Sequence, residues 1–387
     1  MRLQVSFRRD GTAAGAQAGH KVPANSREET SMKSINNTHP RPGAARARSL
    51  RLAALLVAAG LCSAEALAQA RPAAQAELEA LVAAAKAEGS FVWYSAPPEG
   101  LAKRVSDAFT AKYGIRAQFV RLQTVPQRIR YSAEAEANNF AADLLVLAGG
   151  TNAQYAEAGI KRGWMEAVST ANLPVVRGGE FPAKYLTGPT AIVQISPWQI
   201  TYNTDKVKGA DIPKDWADLA NPKWKGQLIM SGVGAGDIYA EFWAMLLRKY
   251  GEGYVTALRD SNPRRATGGG VPAAQALSAG EGAIQIPNIT SVTMPLMAKG
   301  APIAALTPDY TTGVEQHVAL TARAKSKSPN AARLFANYLM SAEGNAVLNA
   351  GQGIGNMYEQ ARMPKDYQTP NPDAVNQAPA LTKLVGF

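Results

Sequence analysis

At 387 residues the chain is long enough for two domains, and 46% hydrophobic with 18% charged residues is the composition of a globular protein with a core. The net charge of +11 overstates its basicity, because residues 1–70 hold ten of the 41 Lys/Arg and four of the 30 Asp/Glu, leaving 31 against 26, or +5. No Lys/Arg run interleaved with aromatics follows residue 70, which argues against a nucleic-acid partner.

The N-terminal region reads as a leader. Arg41, Arg46, Arg48 and Arg51 form a basic segment, and an apolar run from Leu52 to Leu61 follows, too short to span a bilayer. Small residues then offer cleavage near Ala68 or Ala70. Residues 32–70 are therefore expected to be a secretory signal peptide that directs the chain to the periplasm. Residues 1–31, polar and aperiodic, are expected to reflect a start codon placed too early. The single cysteine, Cys62, lies inside this leader, so the mature chain has no thiol for disulfide, nucleophile or thiolate-metal chemistry.

Beyond the leader the pattern alternates. Leu78, Leu81, Val82 and Ala85 share one helical face, stopped by Gly89. Phe91–Tyr94 reads as a buried strand, and Leu101, Val105, Ala108 and Phe109 as a helix ended by Gly114. Ile115, Ala117 and Phe119 alternate as a strand, a helix is expected from Val125 to Asn138, and a strand from Asp143 to Leu147. This order predicts a parallel sheet with helices on both faces, which binds ligands at the carboxyl ends of its strands. The loops there are Ser95–Glu99, Arg121–Thr124 and Gly149–Asn152.

An extended segment, Ala191–Tyr202, leads into a second α/β set. Gln227–Met230 reads as a strand, followed by the glycine-rich loop Ser231–Gly236 and a helix from Asp237 to Tyr250. A strand at Ala283–Ile286 ends in Pro287-Asn288-Ile289-Thr290. The chain then returns along Val314–Thr321 into a helix with Ser328 as N-cap and Pro329 at its first position. The expected organisation is one lobe from 75–192 and 311–350 and a second from 193–310 and 351–387, joined by hinge strands.

Two stretches, Asp215–Ser231 and Ser328–Leu348, closely resemble the ferric-ion-type (family 1) extracellular solute-binding proteins of bacterial ABC importers. The segment Arg121–Asp143, with Arg128, Glu134 and Ala142-Asp143, is similar to the same family. The resemblance implies an α/β, two-lobed periplasmic-binding-protein type II fold, each lobe a mixed sheet flanked by helices. It also implies capture of a small solute between the lobes and delivery to a cognate ABC permease in the inner membrane, by a chain expected to act as a monomer.

The sequence departs from the iron-binding members, which hold the ion with a pair of adjacent tyrosines. Ile286-Pro287-Asn288-Ile289-Thr290 stands in that region, and none of the thirteen tyrosines adjoins another. His317 is the one histidine after the leader, so a zinc set or a Ser-His-Asp arrangement has little to draw on. No G-x-S-x-G elbow occurs, and the glycine stretches at 149–150, 231–236, 268–270 and 351–355 fit neither phosphate-binding motif. The expectation is a binding protein with no enzymatic activity, cofactor or metal.

Its ligand contacts are expected from Ser95, Arg121, Gly150, Thr151, Trp198, Ser231, Gly232, Asn288 and Tyr310. Gly150-Thr151 and Ser231-Gly232 would offer backbone N–H groups to an anion, and Arg121 a charge-assisted bond to a carboxylate or phosphonate. Arg121 can equally sit at the surface, and Trp198 and Tyr310 at the crossings can pack the hinge. Asp237 can counter an ammonium group or simply favour the first turn of its helix. The alternatives are a metal carrier and, in another class, an enzyme or sensory protein on the same bilobal fold.

Overall fold

A computed structural model describes residues 72–350 and 357–387. The expected leader, both its segments and its cleavage positions, lies outside the described residues, as do residues 351–356.

The first lobe opens with helix α1 (72–88), then β1 (Ser90–Ser95), α2 (Glu99–Tyr113), β2 (Arg116–Arg121) and α3 (Thr124–Glu136). It continues through β3 (Leu144–Ala148), α4 (Asn152–Lys161), β4 (Met165–Glu166), α5 (Pro174–Arg177) and β5 (Ala191–Pro197). The second lobe holds β6 (Gln199–Asn203), β7 (Leu228–Ser231), α6 (Asp237–Asp260), β8 (Arg264–Ala266) and α7 (Gly270–Ser278). It goes on through β9 (Ile284–Asn288), α8 (Thr290–Met297), β10 (Ile303–Leu306) and β11 (Tyr310–Thr311). The return is β12 (Gly313–Thr321), α9 (Pro329–Met340) and α10 (Ala342–Asn349), followed by β13 (Asp366–Tyr367) and α11 (Ala378–Val385).

Each lobe is built on a mixed sheet. The first runs β2-β1-β3-β12-β4, with β5 also paired to β12; the second runs β10-β6-β9-β7-β8. β1 is parallel to β2 and β3, whereas β12 comes back antiparallel to its partners. Side-chain alternation explains why these strands read as apolar runs. Trp93, Leu144 and Val146 enter a core on one face while Tyr94, Leu145 and Leu147 enter a second core on the other. In the second lobe Leu228 and Met230 likewise face one core and Ile229 another.

The expected elements appear within a residue or two, and Gly114 closes α2 in the left-handed region with φ 73°. The helix expected over Asp237–Tyr250 runs further. Gly251, at φ 79°, breaks its regular geometry, and the chain resumes helix to Asp260. The changeover between sheets is sharp. β5 still pairs with β12 at Pro197, while Gln199 already pairs with Asn288 of β9, so the chain changes sheets across Trp198.

Ser328 occupies the N-cap position of α9, but its side chain makes no capping bond. The orphan N–H groups go to Glu88 at the end of α1. Glu88 Oε1 accepts from Asn330 N at 3.1 Å and Oε2 from Ala331 N at 2.7 Å. Asp143, just before β3, accepts from the N–H of Val92, Lys327 and Ser328. These two remote carboxylates seat the return helix on the sheet. Glu88→Ala is expected to cost about 1–2 kcal/mol in urea unfolding, the value of a lost N-cap. An unchanged midpoint would mean that water replaces the carboxylate without loss.

Candidate functional site

The strands of both lobes end at a cavity of about 270 Å³. Four helices begin on its wall. Gln123, Thr124 and Val125 come from the start of α3, and Gly236, Asp237 and Ile238 from the start of α6. Gly268–Val271 come from the start of α7, and Ile289, Ser291 and Val292 from that of α8. The first N–H groups of a helix have no partner within it, and each N-terminus carries roughly half a positive charge. The positive dipole ends of these helices thus border the cavity, with the Asp237 carboxylate among them.

Fixed side chains complete the wall. Gln194 and Ser196 of β5, Gln316 of β12 and Asn288 of β9 line it, with the Trp198 ring at the crossing. Trp198 is packed against Tyr239 and Phe242, with ring centroids 5.5 and 5.9 Å away. Trp198 Nε1 and Gln316 Oε1 are closed to bulk solvent and have no hydrogen-bond partner among the described residues. Arg121, at the end of β2, is exposed and takes part in no ion pair among the described residues, so its charge is free for a ligand.

Of the nine residues singled out in the sequence, the cavity brings together Arg121, Trp198 and Asn288. Ser95 is buried just behind it, its Oγ donating to Pro97 O at 3.2 Å, while its neighbour Ala96 lines the wall. Gly150 presents its N–H not to the cavity but to the chain's own Glu241 carboxyl, whose Oε1 accepts at 2.8 Å. Thr151 Oγ1 accepts from Arg128 at 2.6 Å.

Ser231 is buried in the second lobe, its carbonyl accepting from Trp243 Nε1 at 2.9 Å. Gly232 is pressed against Phe387, where any Cβ would overlap the ring and main-chain oxygen. Tyr310 lies away from the cavity, its carbonyl accepting from Trp216 Nε1 and its ring beneath Lys249 Nζ at 4.3 Å. His317 is buried in β12, with Nδ1 2.9 Å from Thr190 Oγ1.

Other wall residues escaped sequence reasoning. Gln194, Ser196 and Gln316 are spaced as core positions on strands that are buried throughout. Gly268–Gly270 fit no phosphate motif, yet they open α7 directly on the cavity. Their signal was a triple glycine before a short apolar helix with a proline in its first turn.

Two contacts tie the lobes together beside the cavity. Arg128 of α3 faces Asp237 of α6 at 3.6 Å, and Gly150 bonds Glu241 as described. Burial, the Glu315 and Asp237 carboxylates push the Glu241 carboxyl up to about 8, against the opposing pull of the Gly150 N–H and Arg128. Among the described residues, no group of three or more His, Cys, Asp or Glu is placed to hold a metal ion.

Comparison with known proteins agrees with this architecture. The model of the family described as bacterial extracellular solute-binding protein matches residues 141–378. A Haemophilus influenzae protein is 26% identical over 279 residues, covering 69% of this chain and 78% of its own length. Among solved structures, iron-bound HitA from Pseudomonas aeruginosa superposes with a TM-score of 0.60 at 18% identity, covering 77% of this chain and 99% of its own. AfuA from Actinobacillus pleuropneumoniae, with fructose-6-phosphate bound, gives 0.56 at 19% identity, covering 77% and 97%. With its two mixed sheets closing on one cavity and a family match spanning most of both lobes, the chain belongs to the bacterial extracellular solute-binding proteins.

Proposed function

We propose that this chain is the periplasmic capture component of an ABC importer and that its cleft holds a small organic anion. The observation that carries this reading is the convergence of four helix N-termini on one cavity that also holds an unpaired arginine. Backbone N–H groups and Arg121 supply charge-assisted donors without any metal. Residues from both lobes touch the same space, so a bound solute stabilises the closed arrangement that a permease recognises. Helix N-termini, an unpaired arginine and fixed polar side chains equip this wall to hold a solute.

A metal carrier is the less favoured reading. HitA holds iron, but here the carboxylate and phenol on the wall are Asp237 and Tyr239. Asp237 faces Arg128, and Tyr239 Oη accepts the Gly270 N–H at 2.8 Å. Burial also pushes the Tyr239 phenol up, away from the phenolate form that ferric ion needs.

The test is a thermal-shift screen of organic anions, sugars, amines and ferric citrate, followed by calorimetry on Arg121→Ala. Loss of one charged hydrogen bond is expected to weaken anion binding about tenfold to a hundredfold. Stabilisation by ferric citrate alone, or anion binding indifferent to Arg121→Ala, sinks the reading.

A further inference from the structure

Several polar side chains on the cavity wall are already paired within the chain. Asn288 uses both ends of its amide within the chain: Nδ2 donates to Gln285 Oε1 at 2.8 Å, and Oδ1 accepts from Ile289 N at 2.9 Å. Thr124 Oγ1 accepts from Ala148 N at 2.9 Å, and Gln194 Nε2 donates to Leu348 O at 3.3 Å. Tyr239 and Asp237 are engaged as described. The buried side-chain atoms left unpaired on this wall among the described residues are Trp198 Nε1 and Gln316 Oε1. A solute with many hydroxyl groups would therefore leave most of those hydroxyls unpaired on closure, each at a desolvation cost.

The apolar wall is, by contrast, uncovered. Val125 of α3 is 44% exposed and Val271 of α7 is 53% exposed, one on each lobe, and both line the cavity. Because the two valines face one cavity from opposite lobes, their exposure leaves apolar surface that a solute held between the lobes would cover. Ile238, Ile289 and Val292 continue the same lining. The cavity lies just below the volume of roughly 300–1,000 Å³ that drug-sized ligands occupy, which keeps the solute small.

We propose that the solute is a small organic anion with an apolar body, a branched-alkyl or aryl carboxylate. Its acid group faces Arg121 and the helix N-termini, and its body lies between Val125 of one lobe and Val271 of the other. This rests on the anion reading above and narrows it.

The experiment is calorimetry on the full chain with acetate, isovalerate, benzoate, gluconate, fructose 6-phosphate and ferric citrate. Affinity is expected to rise about fourfold for each buried methylene added to the acid. Val271→Ser is expected to weaken benzoate about tenfold while changing acetate little. Tighter binding of gluconate or fructose 6-phosphate than of benzoate would overturn the apolar body and leave the anion reading standing. Binding of ferric citrate alone, or of nothing in the series, would overturn both.

Discussion

Glu241→Gln is expected to be more stable than the natural chain at pH 8, with the gap closing as the pH falls toward 5. Glu241 is 1% exposed, and among the described residues only one of its carboxyl oxygens has a partner, the Gly150 N–H. Burial, with Glu315 and Asp237 nearby, raises its carboxyl to about 8, so between roughly pH 4.5 and 8 the folded protein binds more protons there than the unfolded chain does. Stability must then fall as pH rises through that window. Above it the charged form carries the full cost, on the order of 5 kcal/mol for a shift of this size. Glutamine keeps an oxygen for Gly150 and has no charge to bury. Other titrating groups are shared by both proteins and largely cancel in the difference. Urea unfolding at a series of pH values measures it, and a gap that stays constant from pH 5 to 9 would show that the buried Glu241 carboxyl does not titrate in that window.

Glu241 also shows where the sequence stopped being informative. The alternation of apolar runs with helical faces was legible because each strand feeds two cores, and period-two burial writes itself directly into residue order. Arg121 and Asn288 could be found on the cavity wall because they end strands, where a doubly covered sheet opens. Trp198 could be found because it stands where the chain changes sheets. Gly150 and Ser231-Gly232 carry the local signature of an anion-binding turn, but their surroundings are set from far along the chain. Gly150 meets Glu241, 91 positions later, and Gly232 meets Phe387. Gln194, Ser196 and Gln316 sit on strands whose neighbours are buried, so their place on the cavity wall depends on strand ends rather than on pattern. Local sequence thus locates the cleft, and tertiary packing decides which of its loops remain free.

Packing of that kind also makes one glycine in the return segment close to irreplaceable. Gly344→Ala is expected to destabilise the protein by about 3 kcal/mol or more, although alanine is the better helix former. Gly344 lies in the first turn of α10, with its N–H on the capping Ser341 Oγ at 3.2 Å. Ser341 alone separates α9 from α10, and a Cβ on Gly344 would overlap the Tyr338 carbonyl. That carbonyl cannot swing aside cheaply, because it already accepts from Ser341 N at 3.1 Å and Ser341 Oγ at 2.8 Å. Nor can α10 slide, since Asn345 Nδ2 donates to Val193 O at 2.8 Å and to Leu339 O at 3.1 Å, pinning the helix to β5. Gly100, in the first turn of α2, is the internal control: an added Cβ there meets nothing within 4 Å. Gly100→Ala is expected to raise stability by about 0.5–1 kcal/mol. Denaturant midpoints for the two variants should therefore move in opposite directions, and a Gly344→Ala protein as stable as the natural chain would mean that the α9–α10 corner is free to adjust.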